Sequence, residues 1–184
     1  MFLFNHLNML NEIITQLNIY IMKTQLSQTL IIAFGLFITS CKAQTDLIND
    51  EFPEAKQEVM ETFGAIAQSI VDGDMDKLIS FHAYGSKFTE FKNGEPRNGG
   101  EANEAHERNV FGSVTEVIKF DAKDLQIAVY GDVANLTFHS DFVLKFGEDT
   151  VVVNDQITLL FVKTKDGWKM VHEHHSPLKK EANH

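Results

Sequence analysis

Cysteine is almost absent: Cys41 is the only one among 184 residues. That excludes an internal disulfide and any zinc site built on several thiolates. Proline is also scarce, at three, and neither an internal repeat nor a low-complexity block is present. Basic residues fall short of acidic ones, 16 against 26, for a net charge of −10. Such a surface repels nucleic acid and anionic lipid headgroups, so a nucleic-acid partner is excluded. No apolar run reaches the roughly 20 residues that span a bilayer; Leu30 to Ile38 is about half that, which argues against a retained transmembrane helix. What remains is 43% apolar residues, enough for one packed core.

Residues 22–41, "MKTQLSQTLIIAFGLFITSC", differ from the rest. A Met-Lys start, an apolar core and small residues before a cysteine have the layout of a secretory signal. Ile38-Thr39-Ser40-Cys41 resembles the bacterial lipoprotein lipobox, in which the cysteine becomes the lipidated first residue. The expected organisation is a leader over 1–41 with its start at Met22, a polar tether over 42–53, a domain over 54–177 and a tail over 178–184. Losing 1–41 removes only Glu12 and Lys23 as charges, so the balance stays at −10. The expected address is a bacterial membrane, through a lipid on Cys41, facing the periplasm.

Past the tether, Val59, Phe63, Ile66 and Ile70 recur at helical spacing behind Pro53 and Glu54. Gly73 suits the helix stop, and Asp74 suits the cap of a short second helix. "SKFTEF" reads as a short strand, "KNGEPRNGG" as turns and "EANEAHERNVF" as a helix too poor in apolar residues for deep burial. From Thr115 onward, "TEVIKFDA", "DLQIAVY", "DVANLTFHSDFVLKF", "VVVNDQITLLFVK" and "WKMVHEHHS" read as strands, with "YGD", "GED" and "KDG" as hairpin turns. Helices followed by strands indicate an α+β domain, a curved antiparallel sheet packed on about three helices.

"AIAQSIVDGDMDKLISFH", "YGDVANLTFHSDF" and "DQITLLFVKTKDGWKMVHEHHSP" resemble the SnoaL-like, ketosteroid isomerase-related branch of the nuclear transport factor 2-like superfamily. The resemblance implies a cone-shaped sheet with a pocket between sheet and helices, and often a homodimer formed through the sheet. It implies no single activity, since members include isomerases, dehydratases and domains without chemistry.

Alternation along the last strand puts Trp168, Met170, His172, His174 and Ser176 on one face, expected to line the pocket, with His175 facing away. His172 and His174 could share a metal with His139 as third ligand. Two ligands are too few for a site, so the row is read as a pocket wall, with no metal and no cofactor assigned. His139 and Asp141 form an acid/base pair if they point inward. Phe138, Phe142 and Leu144 occupy the opposite row and compete for the interior. His82 and Tyr84 fall where the resemblance puts the pocket mouth. Glu90 and Arg97 read as solvated charges.

Three functions follow. The expected one is binding of a small, largely apolar molecule by Trp168, Met170, His172, His174, His82 and Tyr84. A proton-transfer enzyme of isomerase or dehydratase type would use His172, His174, His139 or Asp141. A non-catalytic assembly module is the third. Tyr84 and Tyr130 are the domain's only tyrosines, and neither suits the oxyanion donor of a ketosteroid isomerase.

Overall fold

The computed structural model describes residues 14–23 and 45–179 and divides the chain into two units, Met1–Thr45 and Asp46–His184. In the first unit, helix α1 covers residues 14–23 and is exposed throughout. The lipobox ending at Cys41 lies outside the described residues. Among those residues no helix is long and apolar enough to cross a membrane.

The second unit opens with helix α2 (Pro53–Val71), which carries proline in its first turn and Glu54 at its positive end. Its Val59, Ile66 and Ile70 are buried against the sheet, with Phe63 beside them. Helix α3 (Met75–Ser80) starts where the Asp74 carboxylate accepts the Lys77 amide at 3.0 Å, a side-chain cap that satisfies a free helix donor. Strands β1 (Thr89–Lys92) and β2 (Glu95–Asn98) form a hairpin around Asn93 and Gly94, both with positive φ. Helix α4 (Gly100–Gly112) then returns over the sheet.

Five strands complete the unit: β3 (Glu116–Tyr130), β4 (Val133–Phe146), β5 (Asp149–Val153), β6 (Asp155–Thr164) and β7 (Gly167–Pro177). The order is β2-β1-β7-β6-β4-β3, with β5 continuing the β6 edge of β4. The sheet is mixed, not wholly antiparallel as expected, because β1 pairs with β7 in parallel. "TEVIKFDA" and "DLQIAVY" are one strand, β3, whose pairing slips between Lys123 and Gln126 around Asp124 at φ 53°. "VVVNDQITLLFVK", expected as one strand, breaks at Asn154 into β5 and β6. Ser140 fills the gap: its hydroxyl donates to the Val153 carbonyl (3.0 Å) and accepts from the Asp155 amide (2.8 Å).

Strand β4 alternates without a fault. Ala134, Leu136, Phe138, Ser140, Phe142 and Leu144 are buried, and the residues between them are not. Leu136, Phe161, Val59 and Leu78 are among the most completely buried side chains, each worth roughly 1.5–3 kcal/mol by removal from water.

Candidate functional site

Between α2, α4 and the inner sheet face lies a cavity of about 90 Å³, walled by Phe63, Ile66, Phe120, Phe138, Leu159 and Met170 among others. It adjoins an outer cavity of about 760 Å³ between α4, β5 and the end of β7. Lys92, Val110, Phe111, Phe142, Ile157 and His175 line both. The inner space alone is smaller than the ~300 Å³ of ordinary ligand sites, whereas the two together fall in their range.

One end of the inner cavity is polar. His82, Glu107 and Glu173 meet there, with ligand-capable atoms all within 4.8 Å of one another. The His82 Nδ1 lies 3.0 Å from the Leu78 carbonyl, which only accepts, so that nitrogen carries the proton. Its Nε2 faces Glu173 Oε1 at 3.1 Å, and His175 Nε2 holds the other Glu173 oxygen at 3.3 Å. Glu90, on β1, is buried in the cavity lining and paired with Arg97 at 2.9 Å; these are not the solvated charges expected, because the hairpin folds Glu90 inward and brings Arg97 with it as its partner. Tyr84 stacks behind His82 with ring centres 4.7 Å apart, outside the inner lining.

Backbone contacts position these groups. The Ala83 amide donates to the Met170 carbonyl and the Met170 amide to the Phe81 carbonyl, at 2.8 and 2.9 Å, which fixes His82 beside β7. Gly100 lets α4 start against the Tyr84–Gly85 backbone, where a Cβ would lie 2.4 Å from the Tyr84 carbonyl carbon. One turn on, the buried Asn103 amide donates to the carbonyls of Arg97 (2.9 Å) and Gly99 (2.7 Å), and Glu107 follows on the same face.

Burial drives the Glu107 carboxyl up to about 8, helped by the charge of Glu173. Burial acts on Glu173 in the same direction, but hydrogen bonds from His175 and His82 outweigh it and hold this carboxylate below its usual range. For His82, burial favours the neutral ring, and the bond and charge of Glu173 reverse that and raise it. Burial and Arg97 lower His106, which lines the same cavity. Two carboxyl groups and an imidazole in so dry a place must share protons or a cation.

Two sequence-based site residues, His82 and Met170, line the inner cavity, as do Phe138 and Phe142 of the row that competed with His139 and Asp141 for the interior. The others do not. The register of β7 against β6 slips between Leu160 and Phe161, so Phe161 opposes Met170 while Leu160 opposes His172 and Val171 is extra. That bulge reverses the alternation: Trp168 and Met170 face inward, and beyond it Glu173 and His175 do. His172 instead bonds Thr89 (Nδ1 to Oγ1 2.8 Å, to the carbonyl 3.1 Å), and His174 is exposed beside Phe91. Trp168 is buried, its Nε1 donating to Glu58 at 2.9 Å, away from both cavities. His139 pairs with Asp124 at 3.1 Å, and Asp141 pairs with Lys119 and Lys123 on the outer face, because the Phe138–Phe142 row takes the interior. Sequence reasoning missed Glu107, Glu173 and His175. For Glu107 a signal existed: Asn103, Glu107, Val110 and Phe111 share one helix face.

Residues 59–179 match the SnoaL-like domain family. The chain belongs to that family. No curated protein matches it. Among solved structures, this SnoaL-like domain is similar to a nuclear transport factor 2-like protein from Streptomyces avermitilis, provisionally named a dehydratase. The identity is 20%, the TM-score 0.63, and 70% of this chain and 99% of that one are covered. A protein from Novosphingobium aromaticivorans, provisionally named an aromatic ring hydroxylase, gives 17% identity, a TM-score of 0.60 and coverages of 70% and 92%. A nuclear transport factor 2-like protein of unknown function from Pseudomonas putida gives 21%, 0.58, 72% and 93%. At these identities the likeness shows the fold.

Proposed function

We propose that the SnoaL-like domain binds a small, largely apolar molecule with one polar group, exported and lipid-anchored through Cys41, and paired with a second copy through its sheet. The observation that carries the binding reading is a cavity with largely apolar walls and a buried cluster of polar groups, His82, Glu107 and Glu173, in its lining. A ligand would lay its body in the outer cavity and its polar group against His82, Glu107 and Glu173. The expected proton-transfer alternative keeps its support at this end, where a carboxyl and a carboxylate–imidazole pair reach one bound group, but not at His139 or Asp141.

The test uses 2-tetralone, an apolar bicycle with one carbonyl. Binding should raise the thermal midpoint of the wild-type chain, and Val110→Trp, which blocks the wall shared by the two cavities, should abolish the rise. Equal rises in both, or none, would sink the binding reading. Faster deuterium uptake beside the carbonyl with wild type than with Val110→Trp supports proton transfer; equal uptake rejects it.

A further inference from the structure

We infer that His82, Glu107 and Glu173 form a binding site for one divalent first-row transition-metal ion. The three come from separate parts of the chain: the turn just after α3, the middle of α4 and β7 beyond its bulge. All are buried, with exposures of 8%, 8% and 6%. Their ligand atoms lie within 4.8 Å of one another. Two atoms bound to one ion at about 2.0–2.2 Å stand roughly 3–4 Å apart, and the 3.1 Å from His82 Nε2 to Glu173 Oε1 already fits.

Two further observations point to an ion. Glu107 Oε2 lies buried with no hydrogen-bond partner among the described residues, although Glu107 lines the cavity. His82 commits Nδ1–H to the Leu78 carbonyl, so an ion that displaces the Nε2 proton now held towards Glu173 finds that nitrogen's lone pair aimed between the carboxylates. That is how metal-binding imidazoles are oriented. His175 grips Glu173 Oε2 and so leaves Oε1 for the ion. Glu90 does not add to the uncompensated charge, since Arg97 pairs with it. Glu107, on releasing its proton to solvent as the ion enters, and Glu173 together offer two negative charges to a doubly charged ion.

The donor set selects the class. One imidazole and two carboxylates suit Zn²⁺ or Mn²⁺; thiolate-seeking ions find no cysteine in this cluster, and Ca²⁺ and Mg²⁺ prefer all-oxygen shells. Three protein ligands leave a position open to the cavity. The site stands on the side-chain cluster and does not depend on the ligand reading above.

The experiment is calorimetric titration of the full chain, stripped with chelator and desalted, with Zn²⁺ and Mn²⁺ separately. One equivalent of one ion should bind. His175→Phe should weaken it about 10–100-fold, Glu107→Gln at least as much, and the exposed His174→Ala should leave it unchanged. No saturable binding of either ion overturns the site, as does binding that Glu107→Gln leaves intact or His174→Ala removes. If Glu107→Gln does not fold, Glu107→Asp, which withdraws the carboxylate by one methylene, is titrated in its place, with unchanged affinity overturning the site.

Discussion

Glu58 shows how much one side chain on α2 can join. Its Oε2 accepts from Trp168 Nε1 at 2.9 Å and from Lys163 Nζ at 2.7 Å, so it ties the helix to β7 and β6 at once. The Lys163 bond, then that of Trp168, lowers the Glu58 carboxyl below its ordinary 4.5. A depressed folded-state value means that this group stabilises the fold above its unfolded-state value and loses that contribution as pH falls through the folded one. Glu58→Gln should therefore lower stability at pH 7, modestly because the pair is half exposed. The gap from wild type should close as the pH drops below about 4.5. Urea unfolding of both proteins across that range checks it; a gap that stays constant or widens in acid contradicts the assignment.

At the scale of elements, legibility in the sequence tracked regularity. Helix α2 and strand β4 keep one period from end to end, so spacing alone grouped Val59, Ile66 and Ile70 on one buried face and Phe138 and Phe142 on one row, but it left open which β4 row faces inward. The cap at Asp74 rests on a local hydrogen bond and was equally readable. The site was much less legible, because it depends on a bulge. One extra residue at Val171 moves every later side chain of β7 to the other face, and nothing in "KMVHEHHS" marks it. Bulged β3 hides the same change of phase: Phe120 and Ala122 pack inward before the slip, and Leu125 and Ile127 after it. The burial of Glu90 was likewise invisible, since it comes from the β1–β2 hairpin closing over the cavity, whereas Glu107 shared a helix face with Val110 and Phe111. With the bulge in place, His172 belongs to strand docking, bonding Thr89 across the parallel β1–β7 pair. His172→Ala should cost about 1 kcal/mol of stability, an ordinary hydrogen-bond contribution. It should leave 2-tetralone affinity unchanged, and a loss of affinity at full stability would return His172 to the cavity wall.

At the scale of the whole molecule, everything argued for the cavity resides in Asp46–His184, which packs as its own unit. The proposed lipid attachment at Cys41 stands outside that unit, five residues before it begins. If Cys41 serves only as an anchor, location and folding should separate cleanly on its removal. The link from Lys42 to Thr45 can extend at most about 3.3–3.6 Å per residue, so the anchor would hold close to the membrane a domain whose net charge of −10 repels an anionic headgroup layer. Cys41→Ser should then abolish metabolic labelling with a fatty acid and move the protein from the membrane fraction to the soluble one. The thermal midpoint of the domain should stay where it was, because the substitution lies outside Asp46–His184. Labelling that persists in Cys41→Ser would end the lipobox reading. A lowered midpoint with unchanged fractionation would show that the cysteine serves the fold instead.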